Sequence, residues 1–201
     1  MLYLDDFTTG KEISLGHYTV SEREIIDFAK DYDFQDFHTD PEAAKRSVFG
    51  GLIASGWHTA GICMKLICQA FMTQTACNGS PGIQDLKWLK PVRPGDTLTG
   101  FVRVTGQLPS KSKPDRGASL QHWALQNQDG DTVFCADVTV LMMRKPAPVE
   151  QAPVVTTTAA TASGETDEKA GSPDRAELEK WRAQAQSLWF NDGSCTGGKG
   201  E

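Results

Sequence analysis

The chain contains no pair of cysteines spaced as CxxC, and its five cysteines, Cys63, Cys68, Cys77, Cys135 and Cys195, are odd in number. That spacing excludes the common zinc-ribbon and dithiol redox motifs, and no metal site is expected. Two of the five fall inside an apolar helical stretch. They read as small buried hydrophobes in a reducing compartment rather than as disulfides. Basic charge is also scarce. The 201 residues carry 20 Lys and Arg against 26 Asp and Glu, a net charge of -6. Residues 1–146 hold 15 basic and 17 acidic side chains, and residues 147–201 hold 5 and 9. Without a basic stripe to displace counterions, neither a nucleic acid nor a membrane surface is an expected partner. The opening MLYLDDFTTGKE lacks the cationic and apolar regions of a signal peptide, and its acidic residues argue against a transit peptide, so the expected location is cytoplasmic. There is no internal repeat. One stretch, residues 52–71, is apolar on most sides of a helix, but Ser55, His58, Thr59, Lys65 and Gln69 make it a poor membrane span and a good buried helix.

What remains is enough for one core, to which the last quarter contributes little: 39% of residues are hydrophobic. Residues 2–20 read as extended, with Leu2, Leu4, Ile13, Leu15, Tyr18 and Val20 set between polar neighbours. Ser21 and Glu24 form a capping box for a helix running to Asp31-Tyr32. Asp40-Pro41 starts a second short helix, PEAAKRS, with Asp40 at the N-cap and Pro41 at the first position. Gly50-Gly51 separates it from the apolar helix. From Ser80 the period changes to two, with strands expected at 82–89, 97–107, 118–127 and 132–145 and turns at Pro94-Gly95-Asp96, 114–117 and 129–131. The reading is an α+β fold: about five mostly antiparallel strands around one long helix in a single domain, 1–146. Residues 147–171, rich in Pro, Ala, Thr and acidic groups, read as a disordered linker. Residues 172–201 read as a tail with one amphipathic helix carrying Leu178, Trp181, Ala185, Leu188 and Trp189.

Two features carry candidate chemistry. Asp33 and His38 lie five residues apart in a segment joining two helices, where a carboxylate and an imidazole can converge on one water. Taken alone, such a pair reads first as a loop hydrogen bond. Ser55-Gly56 is the second feature. Ser55 can cap the apolar helix, leaving the Gly56 and Trp57 amides unpaired at the positive end of its dipole. A glycine there admits a ligand oxygen close to the backbone, the make-up of an oxyanion hole. Taken alone, this too reads first as a plain helix start.

Together and in this order, YDFQDFHTDPEAAKRSVFGGLIASGWHTA resembles the MaoC-like (R)-specific enoyl-CoA hydratases, a hotdog-fold family. The matching positions are Asp33, His38, Asp40-Pro41 with Ala44, and Gly56. LKWLKPVRPGDTL, residues 86–98, is similar to the family's following strand–turn–strand. The resemblance spans roughly residues 5–146.

The resemblance implies a hydratase or dehydratase of acyl-CoA and fatty acid metabolism. Asp33 and His38 activate a water for addition to a trans-2-enoyl-CoA, and the Gly56 amide receives the thioester oxygen. It implies a homodimer, an acyl-CoA substrate and no cofactor beyond the CoA thioester itself. Gln35-Asp36 stands where many members have Asn-Pro, and Ser55 where many have His. Gln35, Ser55 and Trp57 are the expected substrate contacts. Lys111, Lys113 and Arg116 are the expected cations for the CoA phosphates, with Lys90 and Arg93 behind them. A hotdog thioesterase is the rival enzyme, although residues 51–72 lack the carboxylate it would use. A non-catalytic acyl-CoA-binding hotdog is the rival outside enzymes.

Overall fold

The computed structural model describes residues 1–146. The expected linker and tail helix lie outside the described residues. Five strands form one sheet: β1 (Glu12–Thr19), β2 (Ile83–Trp88), β3 (Thr97–Pro109), β4 (Arg116–Gln126) and β5 (Thr132–Met143). Their order is β1-β3-β4-β5-β2, and every pairing is antiparallel. Four helices accompany them: α1 (Glu22–Tyr32), α2 (Asp36–Thr39), α3 (Pro41–Lys45) and α4 (Gly56–Ala70). This is the hotdog arrangement, with α4 as the filling.

The inner face of the sheet is apolar across its strands. Val102 pairs with Trp123, and Trp123 with Ala136. These residues, with Val104, Leu125, Phe134, Val138 and Val140, meet Ile62, Cys63, Leu66 and Ile67 of α4 in one buried cluster. Gly100 lets the helix approach. A Cβ there would stand 3.0 Å from Leu15 and 3.2 Å from Leu66, tighter than ordinary contact.

Three expectations shift. The stretch 2–20 is not extended throughout. Leu4–Asp6 coils into a 3-10 turn because the Asp6 carboxylate accepts the Tyr3 amide at 2.9 Å, and the strand proper is Glu12–Thr19. The helix expected from residue 52 begins at Gly56. Leu52, Ile53 and Ala54 precede it outside the helix and are buried, with the Ala54 amide bonded to the Val92 carbonyl at 2.8 Å. Nor is α4 buried all round. Five strands cover one side of a helix, and Trp57 and Met64 stay 61% and 40% exposed. No helix among the described residues is long and apolar enough to cross a membrane.

Candidate active site

The Ser21–Glu24 capping box forms as expected: the Glu24 amide donates to Ser21 Oγ at 3.2 Å and the Ser21 amide to Glu24 Oε2 at 3.1 Å. Tyr18 adds a short hydroxyl bond to Glu24. The helix so fixed ends by presenting Asp33 at its C-cap, whose amide bonds the Ala29 carbonyl. Here the backbone leaves the helix, so the carboxylate turns back toward the start of α4.

His38 lies in α2, a single helical turn inside the segment expected to be a plain loop, and is 5% exposed. Its Nδ1 is 2.7 Å from the Ile53 carbonyl. A carbonyl can only accept, so Nδ1 carries the hydrogen, and a neutral imidazole held this way has its lone pair on Nε2. Nε2 faces Asp33 Oδ2 at 3.4 Å. The edge of Phe37 holds the ring from the side, with centroids 4.5 Å apart.

Asp33 is held at both oxygens. The Ser55 hydroxyl donates to Oδ2 at 2.7 Å, and the Gln35 amide donates to Oδ1 at 2.8 Å. Burial alone would raise the pKa of this carboxyl. The hydrogen bonds from Ser55 and Gln35, with the nearby His38, outweigh burial and hold it below the usual aspartate value.

Ser55 is the N-cap of α4 and accepts the Trp57 amide at 3.2 Å. The Trp57 amide is therefore taken. The Gly56 amide has no hydrogen-bond acceptor among the described residues. Trp88, at the end of β2, closes one side of this glycine. A Cβ on Gly56 would lie 2.6 Å from the indole ring, and the indole N–H donates to the Gly56 carbonyl at 2.7 Å. Only glycine fits beneath that ring. Trp57 itself points outward and meets Trp88 edge-on, with centroids 5.3 Å apart.

The structure thus brings together Asp33, Gln35, His38, Ser55, Gly56 and Trp57. In this arrangement Gln35 and Ser55, expected as substrate contacts, hold the carboxylate. It does not bring Lys111, Lys113 and Arg116 to the site within one chain. They sit in and beside the β3–β4 turn, while Gly56 lies by the β4–β5 end of the sheet. The eleven residues of β4, at about 3.3 Å each, separate the two ends by roughly 30 Å. Arg116 is occupied by Asp115 through two nitrogens, at 3.0 and 2.9 Å. Lys90 and Arg93 lie at the site end. Lys90 pairs with Asp131 at 2.6 Å, and Arg93 donates to the Phe49 carbonyl at 2.6 Å.

His58 is a packing residue, stacked on Phe28 with centroids 4.8 Å apart. Two features escaped the sequence: the Ile53 carbonyl that fixes the imidazole, and the seat of Trp88 over Gly56. A backbone carbonyl leaves no trace in residue type.

Comparison with known proteins agrees with this fold. The family described as MaoC like domain matches residues 6–122. The chain is 32% identical over 142 residues to an uncharacterized protein, YdeM, of Bacillus subtilis, covering 70% of this chain and 99% of that protein. It is 36% identical over 111 residues to an (R)-specific enoyl-CoA hydratase of Rhodospirillum rubrum, covering 54% of this chain and 74% of that one. The crystal structure of a MaoC-like dehydratase from Rhodospirillum rubrum superposes with a TM-score of 0.68 at 38% identity, over 73% of this chain and 100% of that chain.

Proposed function

Because this chain belongs to the MaoC like domain family, we propose that it adds water reversibly to a trans-2-enoyl-CoA, giving the (R)-3-hydroxyacyl-CoA. A general hydratase or dehydratase role follows from the family. The observation that supports the specific reading is the meeting of Asp33 Oδ2, His38 Nε2 and the start of α4 through Ser55. A water seated beside Oδ2 and Nε2, within reach of both, has two acceptors and loses a proton to the pair. Its oxygen forms the new bond to C3 of the enoyl group. The C2–C3 π electrons move to C2 and the thioester oxygen, where the Gly56 amide and the dipole of α4 stabilise the enolate. The pair then returns the proton to C2, so one H and one OH are added overall. Removal of water runs the same path backward.

Gln35 and Ser55 keep Asp33 ionised and aimed. Trp57 and Trp88 flank the entry of the acyl thioester. Arg93 and Lys90 are better placed than Lys111, Lys113 and Arg116 to meet the CoA phosphates within one chain. The protein works as a homodimer in the cytoplasm and needs no cofactor. Trp57, Met64, Ile83, Trp88 and Leu89 are all at least 40% exposed on α4 or around β2, an apolar flank of the kind a second copy covers.

The test is loss of enoyl absorbance from short and medium trans-2-enoyl-CoA thioesters, with free thiol followed in parallel. Loss of absorbance without thiol release is the expected result. Thiol release without hydration would establish the thioesterase instead, and α4 carries no acidic side chain to drive that reaction.

A further inference from the structure

The groups around Asp33 form one directed chain of hydrogen bonds that starts outside the site. The Trp88 indole N–H donates to the Gly56 carbonyl at 2.7 Å. That carbonyl shares a peptide unit with the Trp57 N–H, which donates to Ser55 Oγ at 3.2 Å. The Ser55 hydroxyl donates to Asp33 Oδ2 at 2.7 Å, and Oδ2 faces His38 Nε2 at 3.4 Å. Every link runs the same way, from donor to acceptor, toward the carboxylate.

We propose that Trp88 is a positioning residue for Asp33, acting through the Gly56–Trp57 peptide and the Ser55 hydroxyl. The carbonyl of the first residue in a helix ordinarily takes the amide four residues on. The indole adds a donor to that carbonyl. Drawing electron density to the oxygen makes the N–H of the same peptide unit a stronger donor, and aligned bonds reinforce one another. A firmer bond from the Trp57 amide fixes the Ser55 oxygen, which leaves the hydroxyl hydrogen directed at Oδ2. The indole ring also lies close over Gly56, where an added Cβ would stand 2.6 Å from it, so it packs directly on the turn that carries the chain. Trp88 stands on β2, 32 residues from Gly56. The sheet edge thereby sets the aim of a group at the end of α1. The kinetic consequence rests on the hydratase reading, whereas the linkage itself does not.

The experiment uses the full chain as wild type, Trp88→Phe, Ser55→Ala and the double variant. Two readouts are taken: titration of the Asp33 carboxyl by carbon NMR, and kcat and KM on a short trans-2-enoyl-CoA. Trp88→Phe keeps an aromatic ring against Gly56 and removes the N–H. The expected result is an upward move of the Asp33 midpoint and a loss of ~3–10-fold in kcat with KM little changed, well below the ~100-fold cost of a 1 Å misplacement. In the Ser55→Ala background the same change is expected to add nothing, because the chain is already cut. Ser55→Thr keeps a hydroxyl and should restore the response.

An unchanged Asp33 midpoint in Trp88→Phe overturns the proposal. So does an equal effect with and without Ser55, which would mark local packing. If Trp88→Phe does not fold, benzothienylalanine at position 88 keeps the bicyclic ring without the N–H, and the same two outcomes decide. If the wild type hydrates no thioester, the hydratase reading fails and the titration alone decides the linkage.

Discussion

The Ser55 hydroxyl and the Asp33 carboxylate are 22 residues apart in sequence and 2.7 Å apart in space. One bond therefore joins the end of α1 to the beginning of α4. It carries an electrical consequence, since a carboxylate that accepts hydrogen bonds is favoured in its charged form. It also carries a mechanical one, since the same serine oxygen caps the helix whose first amide receives the substrate oxygen in the proposed reaction.

Ser55→Ala is expected to move the acid limb of the kcat/KM profile to higher pH. The folded-state pKa of Asp33 lies below its ordinary value, with burial opposed by the bonds from Ser55 and Gln35 and by His38. Its contribution to stability is then fully present above the unfolded carboxylate pKa, about 3.9, and is lost as pH falls through the lower folded value. Removing the serine hydroxyl narrows that window from below. A pH–rate profile and a set of acid melts on the two proteins check both effects.

Gly56→Ala is expected to destabilise the fold by about 1–3 kcal/mol, the usual cost of overpacking. The added methyl would meet the Trp88 ring at 2.6 Å, so the indole must move and give up its bond to the Gly56 carbonyl. Pairing the change with Trp88→Leu removes the clash. Thermal melts should show the double variant recovering part of the loss that Gly56→Ala alone causes. Equal melting of Gly56→Ala and wild type would contradict this packing.

His58→Leu is expected to flatten the pH dependence of stability on the acid side of neutrality. Burial lowers the His58 pKa and Lys65 lowers it further, while Glu24 opposes both. The unfolded chain therefore binds a proton more readily than the folded one. Stability associated with this residue is full above the unfolded histidine pKa, about 6.5, and falls as pH drops below it toward the folded value. Melting temperature measured across that range should fall less steeply in the variant than in the wild type.

Cys63 is expected to resist alkylation in the native protein at mildly alkaline pH. Burial pushes its thiol up to about 12, so almost no thiolate exists to react. Cys68 and Cys77 are only partly buried and give the internal comparison. Peptide mapping after a timed exposure to iodoacetamide reads the order of labelling.

Much of this was legible in the sequence because it is local. The caps at Ser21, Asp40 and Ser55 depend on neighbours within three residues, and each helix starts where its cap stands. Strands β3, β4 and β5 follow from period-two apolarity between turn residues. The acid and the imidazole also sit in one short segment, so their proximity is legible from spacing, whereas their aim is not. What could not be read depends on how distant pieces meet. The bond from His38 to the Ile53 carbonyl and the seat of Trp88 over Gly56 are set by packing and leave no periodic pattern. The cationic turn of Lys111, Lys113 and Arg116 shows the same limit. Its composition suits phosphates, but within one chain the length of the β3–β4 hairpin carries it to the far end of the sheet.

The central claim is that Asp33 and His38 carry the chemistry, and its most direct measurement is hydration of a trans-2-enoyl-CoA by wild type, Asp33→Asn and His38→Ala side by side. The expected result is turnover by the wild type and a loss of at least ~100-fold in each variant, the scale on which general acid–base groups contribute, with melts showing both variants folded. Wild-type rates retained in either folded variant would contradict the assignment.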